Sequence, residues 1–99
     1  MKLIVAIVRP FKLDEIVTAL EAIESFPGMT VVDSEGFGQR LQSSATDRLD
    51  PFKPNKRIEI IASSELVDDI LAGIKLHAHT GKKGDGIIAI VPLDSVTLI

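Results

Sequence analysis

Residues 2–8 of the chain are KLIVAIV, and residues 87–91 are IIAIV. Both runs are short and rich in β-branched residues, and Pro10 closes the first, so each predicts a β-strand. Neither run alternates apolar with polar residues. Because successive side chains of a strand point to opposite faces, both strands are predicted to be apolar on both faces of their sheet.

The rest of the chain predicts a strand–helix–strand unit that occurs twice. Residues 12–24 place apolar side chains three and four positions apart, which predicts a helix, and residues 29–37 predict the second strand. Residues 56–62 predict a third strand, and a second helix follows with an N-cap at Ser63 or Ser64 and Gly81 just past its end. Residues 95–99 are compatible with a short fifth strand. This order predicts a single domain over residues 1–99 with an α+β, ferredoxin-like fold, βαββαβ, in which one sheet carries two helices on one face.

The two-faced strands also bear on assembly. Two helices cover only one face of a sheet, and a large exposed aliphatic face is rare in soluble monomers. We therefore expect a homo-oligomer that buries the open face. The alternative is that residues 93–99 fold back over it, although seven residues are few for that area.

Composition narrows the functional classes. The 99 residues include no Cys, which excludes a disulfide scaffold, thiolate catalysis and Cys-based zinc sites. A formal net charge of −3 disfavours an electrostatic grip on nucleic acid. No stretch approaches the roughly 20 apolar residues of a membrane span, and the apolar start is too short for a signal peptide. We expect a soluble, cytoplasmic protein.

A long polar connection lies between the second and third strands, at residues 38–55. It contains two prolines and no periodic apolar pattern. Loops of this length are uncommon in compact domains and are usually functional. The plainer alternative is an insertion without a role.

Residues 80–86, TGKKGDG, form the sharpest local motif. Three glycines allow backbone N–H groups to approach an anion closely, and two lysines add positive charge. The motif follows a helix and precedes a strand, which is the reverse of the order in a P-loop. Taken alone it indicates phosphate binding weakly, since a helix end followed by a turn has the same composition. Gly36-Phe37-Gly38, where the second strand enters the long connection, is a second glycine pair that permits close ligand contact.

Metal and catalytic chemistry have little support. His77 and His79 are two residues apart, so they point in different directions on a helix and are not expected to share a metal ion. No Ser–His–Asp set is evident. An acylphosphatase-like site is disfavoured because Arg9-Pro10-Phe11-Lys12, after the first strand, lacks the glycines of such a loop.

These motifs together resemble the PII signal-transduction proteins over nearly the whole chain. The resemblance rests on RPFKLDE from Arg9, PGMT from Pro27, EGFG from Glu35, RIEI from Arg57 and TGKKGDG from Thr80. It implies a ferredoxin-like homotrimer that binds adenine nucleotides in clefts between subunits. It also implies a T-loop, here residues 39–55, that docks onto a membrane transporter or a metabolic enzyme.

The resemblance implies which residues form the nucleotide site. These are Ile7, Gly28, Met29, Thr30, Gly36, Phe37, Gly38, Glu59, Ile61, Thr80, Gly81, Lys82, Lys83, Gly84, Asp85 and Gly86. Arg40 is a candidate for a second, anionic effector, and Arg48 and Phe52 are candidates for partner contact because arginines and aromatic residues are favoured anchors.

The departures from the family pattern are informative. The basic residue that usually follows Gly-Asp-Gly is Ile87 here, and the usual Arg-Gln pair after Gly-Phe-Gly is Gln39-Arg40. Leu98 stands where a phosphate-reaching arginine is usual, and the chain contains no tyrosine to be modified in the T-loop. Each charge-assisted contact to phosphate contributes about 1.5–3 kcal/mol. We therefore expect weak triphosphate binding.

The sequence favours a regulator that senses ADP, AMP or a related small effector, with bicarbonate as a candidate second ligand, rather than a standard sensor of ATP and 2-oxoglutarate. No resident cofactor and no bound metal are expected. Three alternatives remain: a metal-binding trimer of the CutA type, a small phosphatase, and an oligomer with an empty cleft.

Overall fold

Four strands form one antiparallel sheet in the structure, a computed structural model that describes residues 1–37 and 52–99. The elements in chain order are β1 (Lys2–Val8), α1 (Leu13–Glu21), β2 (Thr30–Gly36), β3 (Lys53–Ala62), α2 (Ser64–Ala78) and β4 (Gly86–Pro92). The strand order across the sheet is β2-β3-β1-β4. This arrangement confirms the predicted ferredoxin-like α+β fold.

The core lies between one face of the sheet and the two helices. Ile4, Ala6 and Val8 of β1 and the alternate residues of β3 from Ile58 to Ala62 are buried. The apolar stripes of the helices pack onto them through Ile16, Leu20, Ile70 and Ile74. Apolar residues that are three and four positions apart in the sequence therefore lie on the same side of each helix in the structure.

The first helix is shorter than predicted. A single 3-10 turn, Pro10–Lys12, precedes α1, which ends at Glu21 rather than at residue 24. Tight backbone bonds follow, from Ile23 N–H to the Leu20 carbonyl and from Phe26 N–H to the Ile23 carbonyl, and Ser25 has a positive φ of 64°. These turns redirect the chain toward β2 while Ile23 still packs against the core.

Strand β3 begins at Lys53, three residues earlier than predicted, so residues 53–55 of the predicted loop belong to the sheet. Pro54 obscured this extension, since proline is rare inside sheets. Strand β1 pairs with β3 only from Lys56 onward, whereas β2 pairs with it from Lys53. At Pro54, β3 therefore pairs with β2 and not with β1. Proline has no N–H to donate, and this is tolerated on the side of β3 that β1 does not reach.

The fifth strand proposed for residues 95–99 is absent: no strand forms within residues 93–99. Leu93 N–H still donates to the Met1 carbonyl at 3.3 Å, but none of the four described strands pairs with the residues that follow. A strand needs a hydrogen-bonding neighbour. This segment has none in the described part of the chain, and Leu98 is exposed.

No helix of residues 1–37 and 52–99 lies on the second face of the sheet. Leu3, Val5 and Ile7 of β1 lie on it, and the strand register puts Val91, Ala89 and Ile87 of β4 directly beside them. Ile87 is 65% exposed and Ile61 of β3 is 44% exposed. The apolar second face that the sequence predicts is thus present, and none of the described elements covers it; it is called the uncovered face below. Among residues 1–37 and 52–99, no helix is long and apolar enough to span a membrane.

Candidate functional site

Residues 80–86, here called the glycine loop, connect α2 to β4. Gly81 and Gly84 have φ values of +87° and +85°, which only glycine adopts without strain. Gly81 was predicted to end the second helix, but α2 ends at Ala78 and its C-cap, His79, is extended. The left-handed glycine therefore shapes the loop and is not the helix cap.

The carboxylate of Asp85 holds the glycine loop together from inside. The backbone N–H of Thr80 donates to Asp85 Oδ2 at 2.7 Å, and the Thr80 hydroxyl donates to Asp85 Oδ1. Lys82 N–H in turn donates to Thr80 Oγ1 at 3.2 Å. Asp85 belongs to the predicted nucleotide-binding set, but its oxygens are occupied by groups of the loop itself.

Arg9, which the sequence analysis did not include in the site, lies against the same loop. Its Nε–H donates to Asp85 Oδ1 at 3.1 Å and its Nη2–H donates to the Lys83 carbonyl at 2.9 Å. The two partners are more than 70 positions away in the chain, so spacing could not reveal the contact. The sequence signals were the place of Arg9 at the head of the RPFKLDE motif and its position immediately after β1, at the end of the sheet where β4 begins.

Hydrogen bonding keeps Asp85 ionised. The backbone N–H and the hydroxyl of Thr80 stabilise the carboxylate, as do the charge of Arg9 and the Gly81 N–H, and together they outweigh partial burial and lower the pKa of Asp85 from 3.8 to about 2. The carboxylate is therefore charged throughout the neutral pH range, and the loop contains an internal anion.

This lowered pKa makes a prediction about acid stability. A depressed folded-state pKa stabilises the protein above the unfolded value of 3.8, and that stabilisation is lost as the pH falls through about 2. We expect Asp85→Asn to be less stable than the native chain above pH 4, with the difference shrinking between pH 4 and pH 2. Thermal unfolding over this range measures it. Asp94→Asn, at an exposed acid outside the loop, is the control. A difference that stays constant over the range would contradict the prediction.

The outward groups of the glycine loop are cationic and hydrogen-bond donating. Lys82 and Lys83 are exposed, and neither has an ion-pair partner among the described residues. The N–H groups of Lys83 and Gly84 likewise donate to no other described group. Unpaired backbone donors next to ammonium groups form an anion-binding concavity, so this loop can receive a phosphate or another small oxyanion.

The other predicted ligand residues form separate groups within one chain. Gly36 and Phe37 lie at the end of the sheet that carries the glycine loop, because β1 and β2 both run toward it. Gly28, Met29 and Thr30 lie at or before the start of β2, six residues away along the strand, which is about 20 Å. Gly28 has a φ of +98°. The chain by itself does not bring these two groups together.

The remaining predicted ligands lie on the uncovered face. Ile7, Glu59 and Ile61 share this face, and the register places Thr30 directly beside Glu59. Arg57 Nε lies 3.1 Å from Glu59 Oε2, so the carboxylate already has one cationic partner. Ile61 pairs with Leu3, four residues from Ile7, so Ile7 and Ile61 lie about 13 Å apart along the sheet.

An aromatic pair marks the base of the long connection. The rings of Phe37 and Phe52 lie 5.4 Å apart between centroids, at 41°, and the Phe37 side chain is 69% exposed. Phe52, the predicted partner contact, is thus accessible but already packs on one ring. Gly38, Arg40 and Arg48 lie outside the described residues.

His77 and His79 contact different residues. His77 Nδ1 lies 2.9 Å from Glu15 Oε2 and joins the end of α2 to the start of α1, whereas His79 Nδ1 lies 3.7 Å from Asp85 Oδ2. Within residues 1–37 and 52–99, no three histidines or carboxylates come together as a metal site.

A cleft of about 420 Å³ lies beside the glycine loop, between α2 and the free edge of β4. Its floor is apolar, with Val8 and Ile74, and Lys75, His79 and Asp85 add polar groups to its lining. Asp85 and Gly86 are the residues of the glycine loop that line this cleft, which lies on the helix side of the sheet, opposite the face of Ile7, Glu59 and Ile61.

Comparison with known proteins agrees with this architecture. The sequence model of the family described as "Nitrogen regulatory protein P-II" matches residues 1–99. The chain is 39% identical to the "Nitrogen regulatory protein P-II" of Rhizobium etli over 103 aligned residues, covering all of this chain and 91% of the relative. It is 41% identical to the "Nitrogen regulatory protein P-II 2" of Methanothermobacter thermautotrophicus, covering all of this chain and 89% of the relative.

Proposed function

The chain belongs to the nitrogen regulatory protein P-II family, and on that premise we propose that it is a signal-transduction protein that senses an adenine nucleotide, ADP or AMP in preference to ATP. Bicarbonate is the candidate second ligand. The proposed role is regulatory and not catalytic, and the proposed location is the cytoplasm. The observation that carries the proposal is the glycine loop, whose two lysines and outward backbone donors have no partner among residues 1–37 and 52–99.

The preference for fewer phosphates rests on charge. Arg9 is engaged by Asp85 and the Lys83 carbonyl, which leaves Lys82 and Lys83 as the free cations of the loop in the described part of the chain. Ile87, where the family usually has a basic residue, is an exposed apolar side chain directly after the loop. Because each lost contact to phosphate removes about 1.5–3 kcal/mol, a triphosphate gains little over a diphosphate here.

The proposed assembly is a homotrimer. The uncovered apolar face supports association. Gly28–Thr30 lie at β2 and the glycine loop leads into β4, which are the two edge strands of the sheet, and this separation supports a site shared between subunits. In such an assembly the start of β2 from one chain meets the glycine loop of a neighbour, so that nucleotide binding and subunit contact depend on each other.

The proposed output is contact with a membrane transporter or a metabolic enzyme through the connection between β2 and β3. The exposed Phe37–Phe52 pair at its base supports this, since aromatic side chains at a surface are favoured anchors for a partner. Effector binding at one end of the sheet would change partner affinity by favouring one arrangement of the connection.

Isothermal titration tests the proposal with ATP, ADP and AMP, each with and without bicarbonate and with and without magnesium plus 2-oxoglutarate. We expect ADP or AMP to bind more tightly than ATP, and bicarbonate to increase that affinity. Micromolar ATP binding followed by magnesium-dependent 2-oxoglutarate binding would overturn the preference. Absence of any adenine nucleotide binding would overturn the proposal as a whole.

A single methyl group in the loop should remove binding. Gly84→Ala places a side chain at a φ of +85°, with its Cβ 3.7 Å from Arg9 Nη2. Relief of the backbone strain shifts the N–H groups of the loop, so we expect no nucleotide binding detectable by titration and an unchanged oligomeric state. Gly73→Ala in α2 is the matched control, because its added Cβ lies 3.4 Å from Leu20 Cδ2 and away from the loop. Unchanged affinity in Gly84→Ala would exclude the glycine loop as the site.

A further inference from the structure

We infer that Arg9 is a positioning residue that holds the glycine loop in its ligand-binding shape before any ligand arrives. The inference deepens the proposed function, and its predicted effect on nucleotide affinity rests on that function. Its structural part, that Arg9 orders the loop, stands on contacts within the chain alone.

The guanidinium of Arg9 holds the loop at two points on either side of Gly84. Nη2–H donates to the Lys83 carbonyl at 2.9 Å and Nε–H donates to Asp85 Oδ1 at 3.1 Å. A Cβ built on Gly84 would lie 3.7 Å from Arg9 Nη2, so the guanidinium lies directly alongside this residue. The left-handed turn at Gly84 is thereby fixed between two charge-assisted hydrogen bonds.

The same contacts tie the loop to the sheet. Arg9 follows Val8, which pairs with Gly86 at the first residue of β4, so the end of β1 contacts the loop through both backbone and side chain. Asp85 extends the connection to Thr80 at the start of the loop. These contacts connect the end of β1, through Arg9 and Asp85, to Thr80. The outward-facing residues 81–84 lie between Thr80 and Asp85 and are therefore held at both ends.

Lysine is not an equivalent residue at this position. A guanidinium presents several N–H donors in a rigid planar fork, whereas an ammonium is a single flexible point charge. Lysine at position 9 can keep an ion pair with Asp85 but does not reproduce the fork to Asp85 and the Lys83 carbonyl together. The two hydrogen bonds to the loop require several N–H donors on one side chain, and a positive charge alone does not supply them.

Loss of Arg9 should therefore lower affinity by loosening the loop. When the binding-competent shape is populated only in part, the apparent dissociation constant rises by the inverse of that fraction. We expect about a tenfold weaker nucleotide affinity for Arg9→Ala, an intermediate value for Arg9→Lys, and no change for Lys12→Gln. Lys12 is the control because it is a nearby cation whose ion-pair partner, Glu15, lies outside the loop.

The test measures backbone ¹⁵N order parameters of residues 81–84 in the ligand-free protein, beside nucleotide titrations. We expect values near 0.85 for the native chain and for Lys12→Gln, below about 0.6 for Arg9→Ala, and intermediate for Arg9→Lys. A loop that remains rigid in Arg9→Ala overturns the inference, as does full affinity in Arg9→Lys, which would make charge alone sufficient. A loosened loop with native affinity also overturns it.

The two proposals fail separately. If the native chain binds no nucleotide, the proposed function fails while the order parameters still decide whether Arg9 orders the loop. If Arg9→Ala does not fold, Arg9→Lys retains the charge and supplies the same comparison of loop order and affinity.

Discussion

Gly86→Ala is expected to destabilise the chain by about 3–5 kcal/mol, the combined cost of backbone strain and overpacking. A Cβ on Gly86 would lie 2.1 Å from the carbonyl oxygen of Ile7 and 3.2 Å from its carbonyl carbon, and the φ of +145° is unfavourable for alanine. The obstacle is the backbone of a central strand and not a side chain that could rotate away. Relief therefore requires separation of β4 from β1 at their first pair.

Urea and thermal unfolding at one fixed protein concentration measure this effect. We expect the melting temperature to fall by at least about 12 °C, since each kcal/mol is worth about 4–8 °C in a domain of this size. Gly81→Ala is the matched control: its φ is also positive, at +87°, but a Cβ there meets nothing within 4 Å. It should cost about 1–2 kcal/mol. Equal losses in the two variants would show that the contact with Ile7 has no effect of its own.

Val5→Glu is expected to abolish assembly, the second of the two largest effects. Val5 lies in the middle of β1 on the uncovered face, between Glu59 of β3 and Ala89 of β4. In an oligomer that buries this face the new carboxylate would lose its hydration without a partner, beside the existing charge of Glu59. An uncompensated buried charge costs about 3 kcal/mol or more per chain.

Analytical ultracentrifugation distinguishes the outcomes. The native chain should sediment as a species of about three times the chain mass of 10.7 kDa, and Val5→Glu as a single chain. Leu76→Glu adds the same charge at a side chain of α2 that is 71% exposed and should leave the assembly unchanged. Circular dichroism establishes whether each variant is folded. A folded Val5→Glu variant that still sediments with the native mass would show that the uncovered face is not the interface.

Much of the fold followed from local patterns. The types and order of the four strands and two helices were predicted because apolar spacing alone decides which face of an element can be buried. The element ends were less predictable. Strand β3 extends to Lys53 only because β2 is beside it, and residues 95–99 form no strand because none of the described strands pairs with them. Pairing partners are properties of the folded chain and leave no local signal.

The candidate site was also predictable from the sequence only in part. The glycine loop was recognisable from its composition, but the role of Asp85 within it was not. A carboxylate in a Gly-Asp-Gly motif is compatible with ligand contact or with an internal hydrogen bond, and only the positions of Thr80 and Arg9 distinguish the two. Arg9 itself was missed because its partners are more than 70 residues away along the chain.

The sequence by itself determined the features that depend on neighbours within a few residues. These are the helix and strand types, the two apolar faces of β1 and β4, and a loop able to expose backbone donors. The tertiary structure alone decided which residues meet. It placed Arg9 on the glycine loop, packed Phe37 on Phe52, and separated Thr30 from Gly36 and Phe37 by the length of β2. The physical reason is that side-chain period is a local property of the backbone, whereas register and strand order arise from the burial of the whole core at once.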